Sequence, residues 1–215
     1  MFVRQWFFLG LLATTVAFAA DGRVEKANRP AASPISEAVW QVLDPNGYRV
    51  VLEDGPLCEI WFRKGVPAST TKSGQDALFP QLAPSTLVGA VNFLKSSTDY
   101  KGDPIKPGFY TLRYELLPAD GNHLGVAPNP DFLLILPADS DSDPNATFKF
   151  QEMVGLSRKA TGSSHPGPLS LVQADKSQPG VSKDDQDHSI FSFNLTLSSG
   201  EQLPVGLVVK GTAPQ

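Results

Sequence analysis

Cysteine is nearly absent: Cys58 is the only one in 215 residues. No intramolecular disulfide can form, so stability must come from a packed core. Basic tracts are missing too. Eighteen Lys and Arg stand against 22 Asp and Glu, a net charge of −4, which disfavours nucleic acid as a partner. After the first twenty residues no apolar stretch approaches the ~20 residues that span a bilayer, so no transmembrane anchor is expected. The chain carries no His-Glu-x-x-His, no Gly-x-Ser-x-Gly, and no glycine-rich phosphate loop with its lysine. The three histidines, His123, His165 and His188, share no compact ligand spacing. The reading expects no metal and no cofactor, and favours a non-enzymatic role.

What the chain does have begins at its N-terminus. Arg4 supplies a positive n-region, residues 6–13 an apolar h-region, and Ala17-Phe18-Ala19 a small-x-small cleavage site. This order is that of a secretory signal peptide, with cleavage after Ala19. A periplasmic or extracellular location follows as an expectation. Residues 20–34 are polar and rich in Ala, Pro and Ser, and read as a flexible leader. The remainder, 35–215, is of a size for one domain.

Nineteen prolines and 18 glycines punctuate short apolar runs, the pattern of many strands joined by turns. Alternation predicts strands at 48–53, 57–63, 86–95, 108–118, 169–173, 190–197 and 203–209. Phe132–Leu136 is continuously apolar and should be buried on both faces. Ser36 caps a short predicted helix, Glu37–Leu43, for which a strand through Val39 and Gln41 is the alternative. Phe150, Met153, Val154 and Ser157 recur at helical spacing within 147–161, before the stop at Gly162. Residues 175–187 are charged, lack periodicity and read as a mobile loop. Strands follow one another in hairpin-like succession, without the helix alternation of a parallel sheet. The expected fold is mainly β, an antiparallel β-sandwich with one or two short helices. Its core should unite Tyr110, Leu112, Tyr114, Phe132, Leu134, Phe191 and Phe193.

Two stretches add a resemblance. Pro107-Gly108-Phe109-Tyr110-Thr111-Leu112 resembles the Pro-Gly-x-Tyr-Thr-Leu strand opening of secreted Ig-like and prealbumin-like sandwiches. Together with the Asp120-Gly121-Asn122-His123-Leu124-Gly125 loop, Asp131–Leu134 and Ser164-His165-Pro166, it is similar to an uncharacterised family of secreted bacterial β-sandwich proteins. The resemblance implies an exported bacterial protein and supplies no site residues.

Candidate binding residues come from the side-chain chemistry. His123 sits among Asp120 and Asn122, where an imidazole can act as acid, base or ligand. The plainer reading is a hairpin turn. His165 follows the predicted helix and can approach the same edge. Trp61, with Glu59, Arg63, Arg113 and Glu115 on outward faces, can form an aromatic-polar patch, or else lie covered by a helix or loop. Fitting ligand classes are a carbohydrate, a peptide or an envelope protein. The alternative is a periplasmic metal-dependent or hydrolytic enzyme using His123 and His165. Asp139-Ser140-Asp141-Ser142-Asp143 opens like a calcium loop, but Pro144 stands where the turn glycine belongs and Phe150 where the bidentate Glu belongs. Cys58 shares a strand face with Ile60 and Phe62 and should be buried and inert.

Overall fold

The computed structural model describes residues 22–69, 77–118, 127–174 and 178–213. Twelve strands and two helices appear in the order β1 (Arg23–Asn28), α1 (Glu37–Val42), β2 (Asn46–Leu52), β3 (Gly55–Phe62), β4 (Leu87–Phe93), β5 (Ser97–Thr98), β6 (Pro104–Ile105), β7 (Gly108–Leu116), β8 (Asp131–Pro137), α2 (Phe150–Thr161), β9 (Pro168–Gln173), β10 (Gly180–Lys183), β11 (Ser189–Thr196) and β12 (Gln202–Lys210). Strands β5 and β6 pair only with each other. The other ten form one sheet, in the order β1-β2-β3-β4-β7-β8-β9-β12-β11-β10, antiparallel at every pairing.

The expectation of a mainly β, antiparallel fold with two short helices holds. Where two facing sheets were expected, the ladder is continuous and nearly closes on itself. Its edge strands, β1 and β10, come within 8 Å Cα to Cα, with no ladder pairing them. Register shifts at Val50/Val51, Leu87/Gly89 and Ser189/Ile190 interrupt the ladder in three places. Such bulges tighten local twist and bend strands, which lets a long antiparallel sheet curl.

Inside the curl lies the main core. Tyr110, Leu112 and Tyr114 of β7 meet Phe191, Phe193 and Leu195 of β11, Phe62 of β3, and Leu133 and Ile135 of β8. Phe62 stacks on Phe193 with centroids 3.9 Å apart, and Phe191 lies 5.2 Å from Phe193. Offset aromatic pairs add about 0.5–1.5 kcal/mol beyond their burial. Cys58 is fully buried in this core, and burial pushes its thiol far above the usual range. A thiol held protonated there is a poor nucleophile.

The expected single core is in fact divided. Phe132 and Leu134 are buried, but on the other face of β8, with Leu136 beneath Met153 of α2. A continuous apolar strand is explained this way: one face fills the interior while the other seats a helix. Helix α2 ends at Gly162, whose φ of +67° suits a residue without Cβ. Helix α1, N-capped by the Ser36 hydroxyl, covers the outer face of β1, β3 and β4 through Val39 and Trp40, joined by Leu43 at its C-cap.

Two expected loops are strands. Residues 23–28, within the predicted flexible leader, form β1, which pairs with β2 from Arg23↔Val51 to Asn28↔Asn46. The domain therefore reaches back to Arg23 instead of starting at residue 35. Its alternating Arg23, Glu25 and Ala27 hide the strand because an edge strand buries little; only Ala27 is fully covered. Likewise β10 arises inside the predicted mobile loop 175–187 and pairs with β11.

Candidate functional site

Asp120, Asn122 and His123 lie outside the described residues. The other two candidates are placed. Trp61 is fully buried, so it offers no surface patch. It projects from the outer face of β3 into the layer under α1, where Trp40 meets it edge-on at 5.4 Å and 75°. Gly47 on β2 makes room for the indole, since a Cβ there would overlap it. The covered reading of Trp61 is the one that stands.

Arg113 and Glu115, expected outward beside Trp61, are buried as well. Arg113 is completely enclosed and forms a two-point ion pair with Asp141: Nε donates to Oδ2 and Nη2 to Oδ1, each at 2.7 Å. Its other hydrogens reach the carbonyl oxygens of Ser85, Ala146 and Asp143 at 2.7–2.8 Å. Thr111 donates to Asp141 Oδ2 at 2.6 Å. The acidic segment that opens like a calcium loop is thus wrapped around a guanidinium. Ser85, at φ +70°, is held in that unusual conformation by the same hub. This hub is structural: every polar group in it is used.

Asp131, a conceivable ligand for a shared metal, is also consumed by structure. Its carboxylate accepts from the backbone N–H of Leu78 and Phe79 and from the Tyr114 hydroxyl. Among the described residues no group of three or more His, Cys, Asp or Glu is placed to hold a metal ion.

His165 stands exposed beyond the end of α2. Its carbonyl accepts from Thr161 and Ser163 hydroxyls, which fixes the turn. The turn borders a cavity of about 100 Å³ shared with Asp99, Asp103 and Ile105. Asp99 is buried, and burial pushes its carboxyl above the usual carboxylate range, against the pull of the Asp103 and Lys101 backbone N–H groups. So a histidine and two acids do share a wall. The space admits little more than a few water molecules. His188 is elsewhere: fully buried, Nδ1 donating to Asp184 at 2.8 Å and the ring 4.3 Å from Tyr100.

The larger opening is a cleft of about 330 Å³ at one end of the curled sheet. Three chain segments far apart in sequence build it. The β2–β3 turn brings Glu53 and Asp54. Strand β10 and the turn after it bring Lys183 and Asp187. The end of β12 brings Lys210 and Thr212. Lys183 Nζ lies 3.6 Å from Glu53 and Lys210 Nζ 3.7 Å from Asp54, ionic contacts too long for hydrogen bonds. Asp54 is tied more closely to Lys95, 2.6 Å away. That hydrogen bond, with the nearby Lys210 charge, holds the Asp54 carboxyl below the usual range. The turn 184–188 is pinned by Asp184, which accepts from the Gln186 and His188 N–H groups, and Asp187 is held at φ +63°.

None of these cleft residues was a candidate from the sequence. Their signal was present only as charge: Glu53-Asp54 in a turn and the acidic run before Ser189. Nothing local announced that β12 would carry Lys210 to meet both. Among the described residues no aromatic side chain lines the cleft, and no helix is long and apolar enough to cross a membrane. In comparison with known proteins, the chain matches no family model, no curated protein and no solved structure.

Proposed function

We propose that this chain is an exported, non-enzymatic binding protein of the bacterial envelope, working through the charged cleft at the end of its curled sheet. The single observation that carries this reading is the cleft itself. It falls within the size of small-ligand sites, about 300–1,000 Å³, and its opposed ammonium and carboxylate groups stand in loose contact on rigid strand ends and short turns. A scaffold that holds polar groups at strand ends is suited to recognition. The finer architecture belongs with this reading: a barrel-like curl with the cleft at one end accounts for the lining better than an Ig-like or prealbumin-like sandwich.

Export rests on the n-region, h-region and Ala-x-Ala order. Intact-mass analysis of the exported protein should give an N-terminus at Ala20; a mature protein that keeps Met1 would remove export from the proposal. Binding is tested on the mature chain by following backbone amide resonances as oligosaccharides, short peptides and soluble envelope proteins are added. Ligand-dependent shifts should concentrate at residues 53–54, 183–189 and 210–212, with the ligand recovered unchanged. No shift at those residues with any class would reject the cleft.

A hydrolytic reading draws on one observation, the wall shared by His165, Asp99 and Asp103. It predicts that a ligand disappears during the same titration and that His165→Ala stops the loss.

A further inference from the structure

We propose that the cleft's ligand is dipolar: a short peptide that presents a free ammonium and a free carboxylate. This rests on the reading of the cleft as the binding site and adds the chemical class.

The balance of charge in the cleft decides the class. Asp54 is neutralised by Lys95 at 2.6 Å. That leaves two ammonium groups, Lys183 and Lys210, and two carboxylates, Glu53 and Asp187, lining the opening. A purely anionic ligand would be drawn to the lysines and repelled by the acids, and a purely cationic one the reverse. Only a ligand carrying both signs gains from both sets. The four groups come from three segments: Glu53 from the β2–β3 turn, Lys183 and Asp187 from β10 and the turn after it, and Lys210 from the end of β12.

The existing pairs leave donors and acceptors to be taken. Among the described residues neither Lys183 nor Lys210 Nζ makes a hydrogen bond, and each has one carboxylate at 3.6–3.7 Å. An ammonium has three donors. A ligand carboxylate at hydrogen-bond distance would use them, and a ligand ammonium would take the place that Lys183 holds beside Glu53. Pairs of this length at a solvated surface contribute little, so exchanging them costs little. A sugar, by contrast, gains most from an aromatic face, and Trp61 is sealed beneath α1.

The probes are a pool of unblocked tripeptides with neutral side chains, the same pool acetylated at the N-terminus and amidated at the C-terminus, and maltotriose. Binding to the mature chain is read by amide shifts at residues 53–54, 183–189 and 210–212. Unblocked tripeptides should shift these amides and the blocked pool should bind at least tenfold more weakly. Lys183→Met with Lys210→Met should weaken the unblocked pool at least tenfold. Glu53→Gln should weaken it too, yet not weaken an N-acetylated pool with a free carboxylate, which Glu53 only repels. These residues are on the surface, and an unchanged melting temperature confirms that each variant is folded. Equal binding of blocked and unblocked pools, or maltotriose shifting the same amides, would overturn the dipolar class while the cleft remains a binding site. No shift with any of these probes would overturn the dipolar ligand, and no shift with soluble envelope proteins as well would overturn the cleft.

Discussion

Arg113→Met should destabilise the protein by about 3–5 kcal/mol, the cost of removing one partner from a buried ion pair. Both side chains are fully enclosed, so Asp141 would be left as an uncompensated charge with no water to reach. Three carbonyl oxygens, on Ser85, Asp143 and Ala146, would lose their donor at the same time. Met matches the length of the aliphatic stem, so the loss reports the charge and hydrogen bonds more than a void. The guanidinium also lies 4.8 Å from the centre of the Phe148 ring, a contact that Met only partly replaces. Denaturant midpoints should fall sharply at unchanged slope. Arg113→Met combined with Asp141→Leu should recover part of the loss, since the stranded charge is gone while the carbonyls remain unpaired. Arg23→Ala, which breaks an exposed pair with Glu25, should change stability by about 1 kcal/mol or less. Equal midpoints for Arg113→Met and Arg23→Ala would refute the hub.

Tyr114→Ala should cost about 3–5 kcal/mol from the cavity alone, because the ring is fully buried in the main core. The hydroxyl adds a separable part. It donates to Asp131 Oδ1 at 2.7 Å, and Asp131 in turn holds the Leu78 and Phe79 backbone. Tyr114→Phe keeps the ring and removes that bond, with the longer 3.4 Å contact to the Phe79 carbonyl, at about 1.5–3 kcal/mol for a charged acceptor. The two substitutions should therefore rank Ala well below Phe in denaturant midpoint. Alkaline pH gives a second readout. Burial, together with the adjacent Asp131, pushes the Tyr114 phenol well above its ordinary value. A group raised in the folded state contributes stability that is complete below its unfolded value, near 10, and is lost as pH rises beyond it. The wild-type protein should lose stability above about pH 10 more steeply than Tyr114→Phe. Parallel curves for the two would contradict the buried bond.

The strand β7 shows where reading by alternation succeeds and where it stops. Tyr110, Leu112 and Tyr114 share the interior face as the period-2 pattern requires. Thr111, Arg113 and Glu115 share the other, also as required, yet that face is buried. Alternation distinguishes two faces; it does not say that the polar one meets water. The partner of Arg113 lies in a loop 28 residues on, and only the tertiary fold brings it there. The same limit applies to Trp61, whose fate depends on α1 crossing β3, and to β1, whose hydrogen bonds come wholly from β2. An edge strand of mixed polarity carries too little hydrophobic contrast to mark itself.

The sequence by itself determined the local rules of this protein. A single cysteine placed stability in packing, Ser36 and Gly162 bounded the two helices, and turn residues with period-2 alternation set most strands and their inward faces. These are short-range effects, decided by backbone sterics, capping and pleat. The tertiary structure decided how many layers cover each face, whether ten strands form one curled sheet or two flat ones, and which charges meet. Closure depends on bulges and accumulated twist summed over the whole sheet. The cleft depends on three segments, around residues 53, 183 and 210, that only closure brings together. Ion pairs across such distances follow from the path of the chain, and no window of neighbouring residues contains that path.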